Sequence, residues 1–193
     1  MNVALRLPAM SREQFLDWVQ RQEGRFEFDG SRPVAMTGGT RDHSQIVANI
    51  LFSLRIRSAQ RPFWTLVEAG LASGSDSVRY PDVLVTSSRG SGRDLLTGDV
   101  VVAFEIVSPS SVRTDRVVKL REYLGVPTLR RYVVVEQTSV AVSVFEKNAG
   151  GTAWEARALV AGETLDLPEI GIQVPVSEFY VDVDVPDEPA ADP

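Results

Sequence analysis

Two carboxylates stand in segments that are otherwise apolar. Glu105 is the one charged residue in the run 100–107, and Asp82 follows Pro81 at the start of a second apolar segment. A charge in such a strand is costly unless a cation, a metal ion or hydrogen bonds compensate it. If the two strands pair, both carboxylates can converge on one hard cation, and Mg²⁺ favours one or two carboxylates completed by water. The structural alternatives are a buried arginine pair for Glu105, a strand end at which Glu105 reaches solvent, and a turn cap at Asp82.

A lysine follows these carboxylates on a predicted helix. Asp115, Lys119 and Tyr123 are spaced four residues apart and share one helix face. Lys119 is one of only two lysines in the chain. Because lysine can lose its proton when desolvated whereas arginine cannot, Lys119 could orient or activate water for attack on a phosphodiester. The alternative is an exposed Asp115–Lys119 salt bridge, which contributes little to stability.

Composition excludes several other classes of site. The 193 residues include no cysteine and one histidine, His43. Disulfides, thiolate nucleophiles, zinc–thiolate sites, iron–sulfur clusters and polyhistidine metal sites are therefore excluded. The apolar runs are far shorter than the roughly 20 residues of a membrane span, and the N-terminus lacks the pattern of a secretory signal. These features predict a cytoplasmic protein without a membrane partner.

The charge is divided unevenly along the chain. The net charge is −6, but nine of the 26 acidic residues and none of the 20 basic residues follow residue 160. Residues 1–160 thus hold 17 acids against 20 bases, a net charge of +3. A mildly basic body with an acidic C-terminal region permits a polyanionic partner such as DNA.

Hydrophobic periodicity predicts the elements that must position these side chains. Three helices and a larger number of strands give an α/β (α+β) protein with a mixed sheet. We expect one domain over residues 1–181, followed by an acidic, proline-rich and disordered tail over 182–193. The predicted helices are 11–22, 42–58 and 112–124; the predicted strands are 25–29, 33–36, 63–67, 79–86, 99–107, 131–136, 140–147 and 154–160; the predicted loops are 73–77 and 87–98.

Several segments together resemble a known nuclease family. Pro81-Asp82, followed 23 positions after Asp82 by Glu105-Ile106-Val107, resembles the core motif of PD-(D/E)XK nucleases. The order of the segments is similar to that of the Uma-two family of restriction endonucleases over nearly all of residues 10–180. The matching segments are 24–28, 38–43, 80–83, 104–110, 115–123 and 127–136.

The resemblance implies a fold, an activity and a site. The fold would be a restriction-endonuclease-like core, a central mixed β-sheet flanked by helices, with a C-terminal strand extension. The activity would be Mg²⁺-dependent hydrolysis of DNA phosphodiester bonds, with Mn²⁺ as a substitute ion. Asp82 and Glu105 would be the metal ligands, and Glu27 would be the acidic residue from the N-terminal region. Val107 occupies the position of the motif's lysine, so the resemblance assigns that role to Lys119.

Other readings remain open at this point. His43 and Tyr123 are secondary site candidates, the alternatives being a first-turn helix residue and a packing residue. Glu27 alternates with aromatic residues, which also suits a solvated strand face. A catalytically silent nuclease-fold binding module is favoured by the uncharged segment 69–72 and the acidic tail. A phosphodiesterase acting on RNA or another nucleotide is a third possibility, and cutting both strands of a duplex would favour a homodimer.

Overall fold

The computed structural model describes residues 9–74, 76–107 and 113–187, with only the backbone of 113–116. Its helices are α1 (Arg12–Val19), α2 (Arg41–Ser58) and α3 (Arg113–Leu124). Ser11 and Gln14 form a capping box at α1, and the Thr40 hydroxyl accepts a hydrogen bond from the N–H of His43 at α2. These helices confirm the three predicted from periodicity, with shifts of one to three residues at most ends.

A six-stranded mixed sheet forms the centre of the protein. Its order is β10-β9-β8-β7-β6-β3. Only the β7–β8 pair is parallel among the described pairs, and α3 forms the connection between these two strands. The strands of this sheet are β3 (Trp64–Val67), β6 (Val83–Thr86), β7 (Val100–Val107), β8 (Arg131–Glu136), β9 (Ala141–Lys147) and β10 (Trp154–Val160).

Helices cover both faces of this sheet. Because side chains alternate along a strand, Phe104 joins the core on the α2 face, where Ile46, Ile50 and Leu54 are buried. Ala103 lies on the opposite face in a second core with Tyr123 of α3. The structure therefore confirms the predicted α+β class, with a central mixed sheet flanked by helices.

A smaller sheet adjoins the central one. It has the order β2-β1-β5-β4, formed by β1 (Phe26–Phe28), β2 (Pro33–Ala35), β4 (Leu71–Ser73) and β5 (Ser77–Arg79). The predicted strand 79–86 is wrong, because β5 ends at Arg79 and β6 begins at Val83 in the other sheet. Pro81 has no N–H to donate to a ladder, which suits a link between sheets. The predicted loop 73–77 is also wrong at its ends, which pair Ser73 with Ser77.

The C-terminal region packs against α2. β11 (Thr164–Leu167) pairs with β12 (Ile172–Pro175), and a 3₁₀ helix (Val176–Tyr180) follows. Val183 and Val185 pack on the main core, and the N–H of Val140 donates to the carbonyl of Pro186 at 2.9 Å. Contacts thus continue to Pro186, within the predicted tail 182–193, and residues 188–193 lie outside the described part. The domain boundary at residue 181 stays a prediction.

None of the helices in the described ranges combines the length and the apolar character needed to cross a membrane.

Candidate active site

The pairing of β6 with β7 brings Asp82 beside Glu105. Val83 pairs with Phe104, so the residues one step further along each strand face each other across the antiparallel ladder. The Asp82 Oδ2 atom accepts a hydrogen bond from the N–H of Ile106 at 2.7 Å. This bond fixes the carboxylate at the point where β6 begins.

Among the described residues, helix α3 supplies two side chains that bind Glu105. The Lys119 ammonium donates to Oε1 at 2.9 Å, and the Tyr123 hydroxyl donates to Oε2 at 3.2 Å. The two donors lie one helical turn apart, so both reach the strand beneath. Tyr123 is fully buried, and burial beside the Glu105 carboxylate raises the pKa of its hydroxyl well above the usual value. Glu105 is therefore held at both oxygens.

The smaller sheet contributes Glu27. Its side chain is only 7% exposed, and Lys119 Nζ lies 3.3 Å from Oε1 while Arg79 Nη1 donates to Oε2 at 3.0 Å. Despite the nearby ammonium, Oε1 is buried without a hydrogen bond of proper direction. Glu27 is thus not on a solvated strand face, and one of its oxygens can still accept a hydrogen bond.

Sequence reasoning missed Arg79 and Glu122. Arg79 is 3% exposed and forms a bidentate pair with Glu122, with Nε–Oε2 at 2.6 Å and Nη2–Oε1 at 3.0 Å. The signal for Glu122 was its position three residues after Lys119, on the same side of α3. The predicted strand 79–86 began at Arg79, whereas Arg79 is the last residue of a strand of the smaller sheet.

His43 contacts the other carboxylate from the first turn of α2. Its Nε2 atom lies 3.2 Å from Asp82 Oδ1, and the hydrogen bond with Asp82 raises the pKa of the imidazole. A Cβ atom at Gly39 would stand 2.7 Å from Nδ1 of His43, so residue 39 must lack a side chain for the ring to keep this position. The first turn of α2 is therefore built around this contact.

The cluster carries an excess of negative charge. Among the side chains that the structure describes, four carboxylates face two cationic groups, a formal charge of −2 when all four carboxylates are ionised and His43 is neutral. The pKa of Glu105 is raised to about 7, mainly by burial; Lys119 opposes this rise, and the nearby Asp82 and Glu27 carboxylates add to it. The carboxylates are those of Glu27, Asp82, Glu105 and Glu122, and the cations are Arg79 and Lys119. A divalent cation would balance this charge.

The donor set fits Mg²⁺ rather than a metal that needs a full protein cage. Within the ranges that the structure describes, no three His, Cys, Asp or Glu side chains form a metal-binding group. Two adjacent carboxylates, Asp82 and Glu105, supply hard oxygen donors, and Mg²⁺ commonly keeps several waters as its other ligands. The residues present therefore fit this ion.

The structure brings together all six residues predicted from the sequence. Lys119 is not simply an exposed partner of Asp115, because it is 17% exposed and contacts Glu105 and Glu27. The side chain of Asp115 lies outside the described part. The six clustered residues are Glu27, His43, Asp82, Glu105, Lys119 and Tyr123.

The match to a protein family covers this whole cluster. The sequence model of the Uma2 family, described as "Putative restriction endonuclease", matches residues 12–177. The chain belongs to the Uma2 family. This Uma2 protein is 30% identical over 178 residues to an uncharacterized protein of Synechocystis sp., covering 90% of this chain and 92% of the relative. It is 24% identical to a second uncharacterized protein of that organism, covering 78% of this chain and 89% of the relative.

A solved structure shares the fold of this Uma2 protein. A crystal structure of "a putative nuclease belonging to DUF820 from Anabaena variabilis" superposes with a TM-score of 0.69. The match covers 90% of this chain and 99% of the other, at 15% sequence identity. The likeness at this identity shows that the two chains have the same fold.

Proposed function

We propose that this Uma2 protein is a Mg²⁺-dependent endonuclease that hydrolyses phosphodiester bonds in DNA. The observation that carries the proposal is the convergence of Asp82, Glu105 and Lys119, from two adjacent strands and the helix that follows them. The description of the family supports it, as does the mildly basic body of the chain. A scissile phosphate needs charge neutralisation and an oriented water, and these residue types supply both.

Asp82 and Glu105 would hold the metal ion, for which Mn²⁺ would substitute. When bound, the ion supplies Lewis-acid polarisation of a phosphoryl oxygen. The protein holds both carboxylates in place: His43 and the N–H of Ile106 hold Asp82, and Lys119 and Tyr123 hold Glu105. Preorganised ligands of this kind avoid reorganisation during the reaction.

Lys119, assisted by Glu27, would position the attacking water. The ammonium of Lys119 can donate a hydrogen bond to the water oxygen, which directs a lone pair of that water towards the phosphorus atom. Glu27 Oε1 lies 3.3 Å from Lys119 Nζ, so the Glu27 carboxylate would hold the ammonium in position for this contact. Lys119 also offsets negative charge on the phosphate as it develops.

The direct test is metal-dependent cleavage of a supercoiled plasmid by the purified chain. We expect cleavage with Mg²⁺ or Mn²⁺ and none with EDTA, since the site has an excess of negative charge without a divalent ion. Nicked product would indicate single-strand cutting, whereas linear product from one encounter would favour a homodimer. A parallel assay uses single-stranded RNA of matched length.

The outcomes separate the proposed function from its alternatives. Cleavage of RNA alone would replace DNA by RNA as the substrate. Binding of DNA without cleavage in either ion would contradict the enzyme and favour a silent binding module. Full activity in EDTA would contradict metal dependence.

Arg79 is expected to be a positioning residue for Glu27. Arg79→Lys keeps the charge but loses the planar fork that reaches Glu122 and Glu27 together. We expect kcat for plasmid cleavage to fall by about tenfold or more, as is typical when groups supporting a catalytic side chain are altered. The fall should be in kcat rather than KM, because Arg79 is buried away from solvent.

Arg131 provides a matched control for Arg79. It is also a buried arginine that contacts two glutamates, Glu146 and Glu169, but it lies outside the carboxylate cluster. Arg131→Lys should lower the midpoint of urea unfolding to a similar extent and leave kcat unchanged for the folded fraction. Equal losses of kcat in both variants would reduce Arg79 to a structural residue.

A further inference from the structure

A cleft lies beside the chain segments that carry Glu27 and Asp82. Its walls include the apolar side chains of Val19, Phe26, Met36 and Tyr80 and the polar side chains of Arg25 and Glu68. The cleft has a cavity volume of about 200 Å³. We refer to it as the Tyr80 cleft.

Three covalent or hydrogen-bonded connections join the cleft to the site. Phe26 directly precedes Glu27 on β1, and Tyr80 lies two residues before Asp82. The N–H of Glu68 donates to the carbonyl of Asp82 at 3.2 Å. The Glu68 contact therefore places one wall of the cleft directly against the backbone of Asp82.

The aromatic wall offers flat apolar surface. Phe26 is held by an edge-to-face contact with Trp18, with ring centroids 4.9 Å apart. Neither Phe26 nor Tyr80 is fully buried, so their ring surfaces remain partly available within the cleft. Nucleobases stack on aromatic side chains of this kind, and the stacking tolerates different sequences.

The polar wall offers adjacent donors and acceptors. Arg25 Nη2 lies 2.7 Å from Glu68 Oε1, with the side chains 51% and 43% exposed. Such an exposed pair contributes little to stability. The guanidinium donors and carboxylate acceptors of this pair can instead form hydrogen bonds with the complementary groups on the edge of a base. Glu68 also has a φ of 50°, a strained conformation of the kind that clusters at ligand sites.

We infer that the Tyr80 cleft binds one unstacked nucleobase next to the scissile phosphate. The inference rests on the proposed function and assigns a base-reading subsite to it. Stacking would come from Phe26 and Tyr80, and discrimination between bases from Arg25 and Glu68. Apolar faces beside a polar pair match a base, which has two apolar faces and a polar edge.

To test this inference, the protein cleaves a long DNA of random sequence context, and the ends of the products are sequenced. The wild type should show a base preference at one position near the cut. Glu68→Gly is compatible with the left-handed backbone at this position and should remove that base preference. Tyr80→Leu should raise KM by about tenfold, as expected for losing one stacked base. Arg55→Met and Trp64→Leu, at exposed positions of α2 and β3, are controls that should leave the preference and KM unchanged.

A binding measurement separates this inference from the proposed activity. Single-stranded oligonucleotides carrying 2-aminopurine at successive positions are titrated with Glu105→Gln in the presence of EDTA. One position should show a change in fluorescence that adding Tyr80→Leu removes. If this signal is seen but the wild type does not cleave DNA, base binding in the cleft is supported and the proposed nuclease activity is contradicted. Cleavage with no base preference at any position, or a preference unaltered in Glu68→Gly, would overturn the cleft and leave the nuclease standing.

Discussion

Asp82→Asn and Glu105→Gln are each expected to abolish Mn²⁺ binding and lower plasmid cleavage by more than about a thousandfold, because several kcal/mol of transition-state stabilisation depend on the ion. Both replacements keep the size of the side chain and remove its charge. The asparagine variant retains an oxygen that can accept from the N–H of Ile106, so the start of β6 should stay in place. Loss of activity would then reflect the loss of a ligand rather than of the fold.

Isothermal titration with Mn²⁺ measures the first effect, and the plasmid assay measures the second. Glu155→Gln provides the control, since Glu155 is an exposed carboxylate of β10 outside the cluster. It should bind Mn²⁺ and cleave DNA like the wild type. If Asp82→Asn and Glu105→Gln also bind Mn²⁺ with the wild-type affinity, the proposed metal site is wrong.

The Glu105→Gln variant should also alter how stability depends on pH in the metal-free protein. Burial raises the pKa of Glu105 from 4.5 to about 7, so the folded state binds its proton more tightly than the unfolded state does. The protonated Glu105 side chain therefore favours the folded state. The free energy of unfolding of the wild type should fall as the pH rises from the unfolded to the folded pKa of Glu105. When measured by urea unfolding in EDTA, the free energy of unfolding of the variant should rise relative to that of the wild type between about pH 5 and pH 8. A constant difference would contradict the raised pKa.

Lys119→Met is expected to lower the cleavage rate by about a hundredfold or more, the usual effect of losing a positioned acid–base group. Lys119→Arg should be nearly as poor, because arginine is bulkier, planar and permanently protonated. Mn²⁺ should bind the methionine variant at least as tightly as the wild type, since a positive charge beside Glu105 is gone. Single-turnover cleavage and Mn²⁺ titration check the two effects separately.

The second lysine of the chain is the control. Lys147 donates to the carbonyls of Val126 and Pro127, outside the site. Lys147→Met should retain full cleavage. Substantial rescue by Lys119→Arg would reduce Lys119 to a source of positive charge, and full activity in Lys119→Met would remove it from the mechanism. Unfolding of each variant must be measured as well, because Lys119→Met leaves the buried Glu105 carboxylate without its cation and removes one of the two cations beside Glu27.

Local sequence features predicted the parts of this protein that depend on short-range physics. The apolar run 100–107 is a buried central strand because it suits a sheet covered on both faces. The spacing of Lys119 and Tyr123 places them on one helix face whatever the fold, since four residues make about one turn. Glu105 and Asp82 stood out because each was a charge in apolar surroundings.

Tertiary structure alone decided which side chains meet. The 43 residues that separate Arg79 from Glu122 place no constraint on their distance, yet the two form a bidentate pair. The division of 79–86 between two sheets sets Arg79 against Glu27 and Asp82 against Glu105. Periodicity reports which face of an element is buried, but the register between strands and the position of the α3 crossover are set by packing over the whole chain. For that reason the sequence indicated the residue types of the candidate site, while only the fold arranged them into one charged cluster.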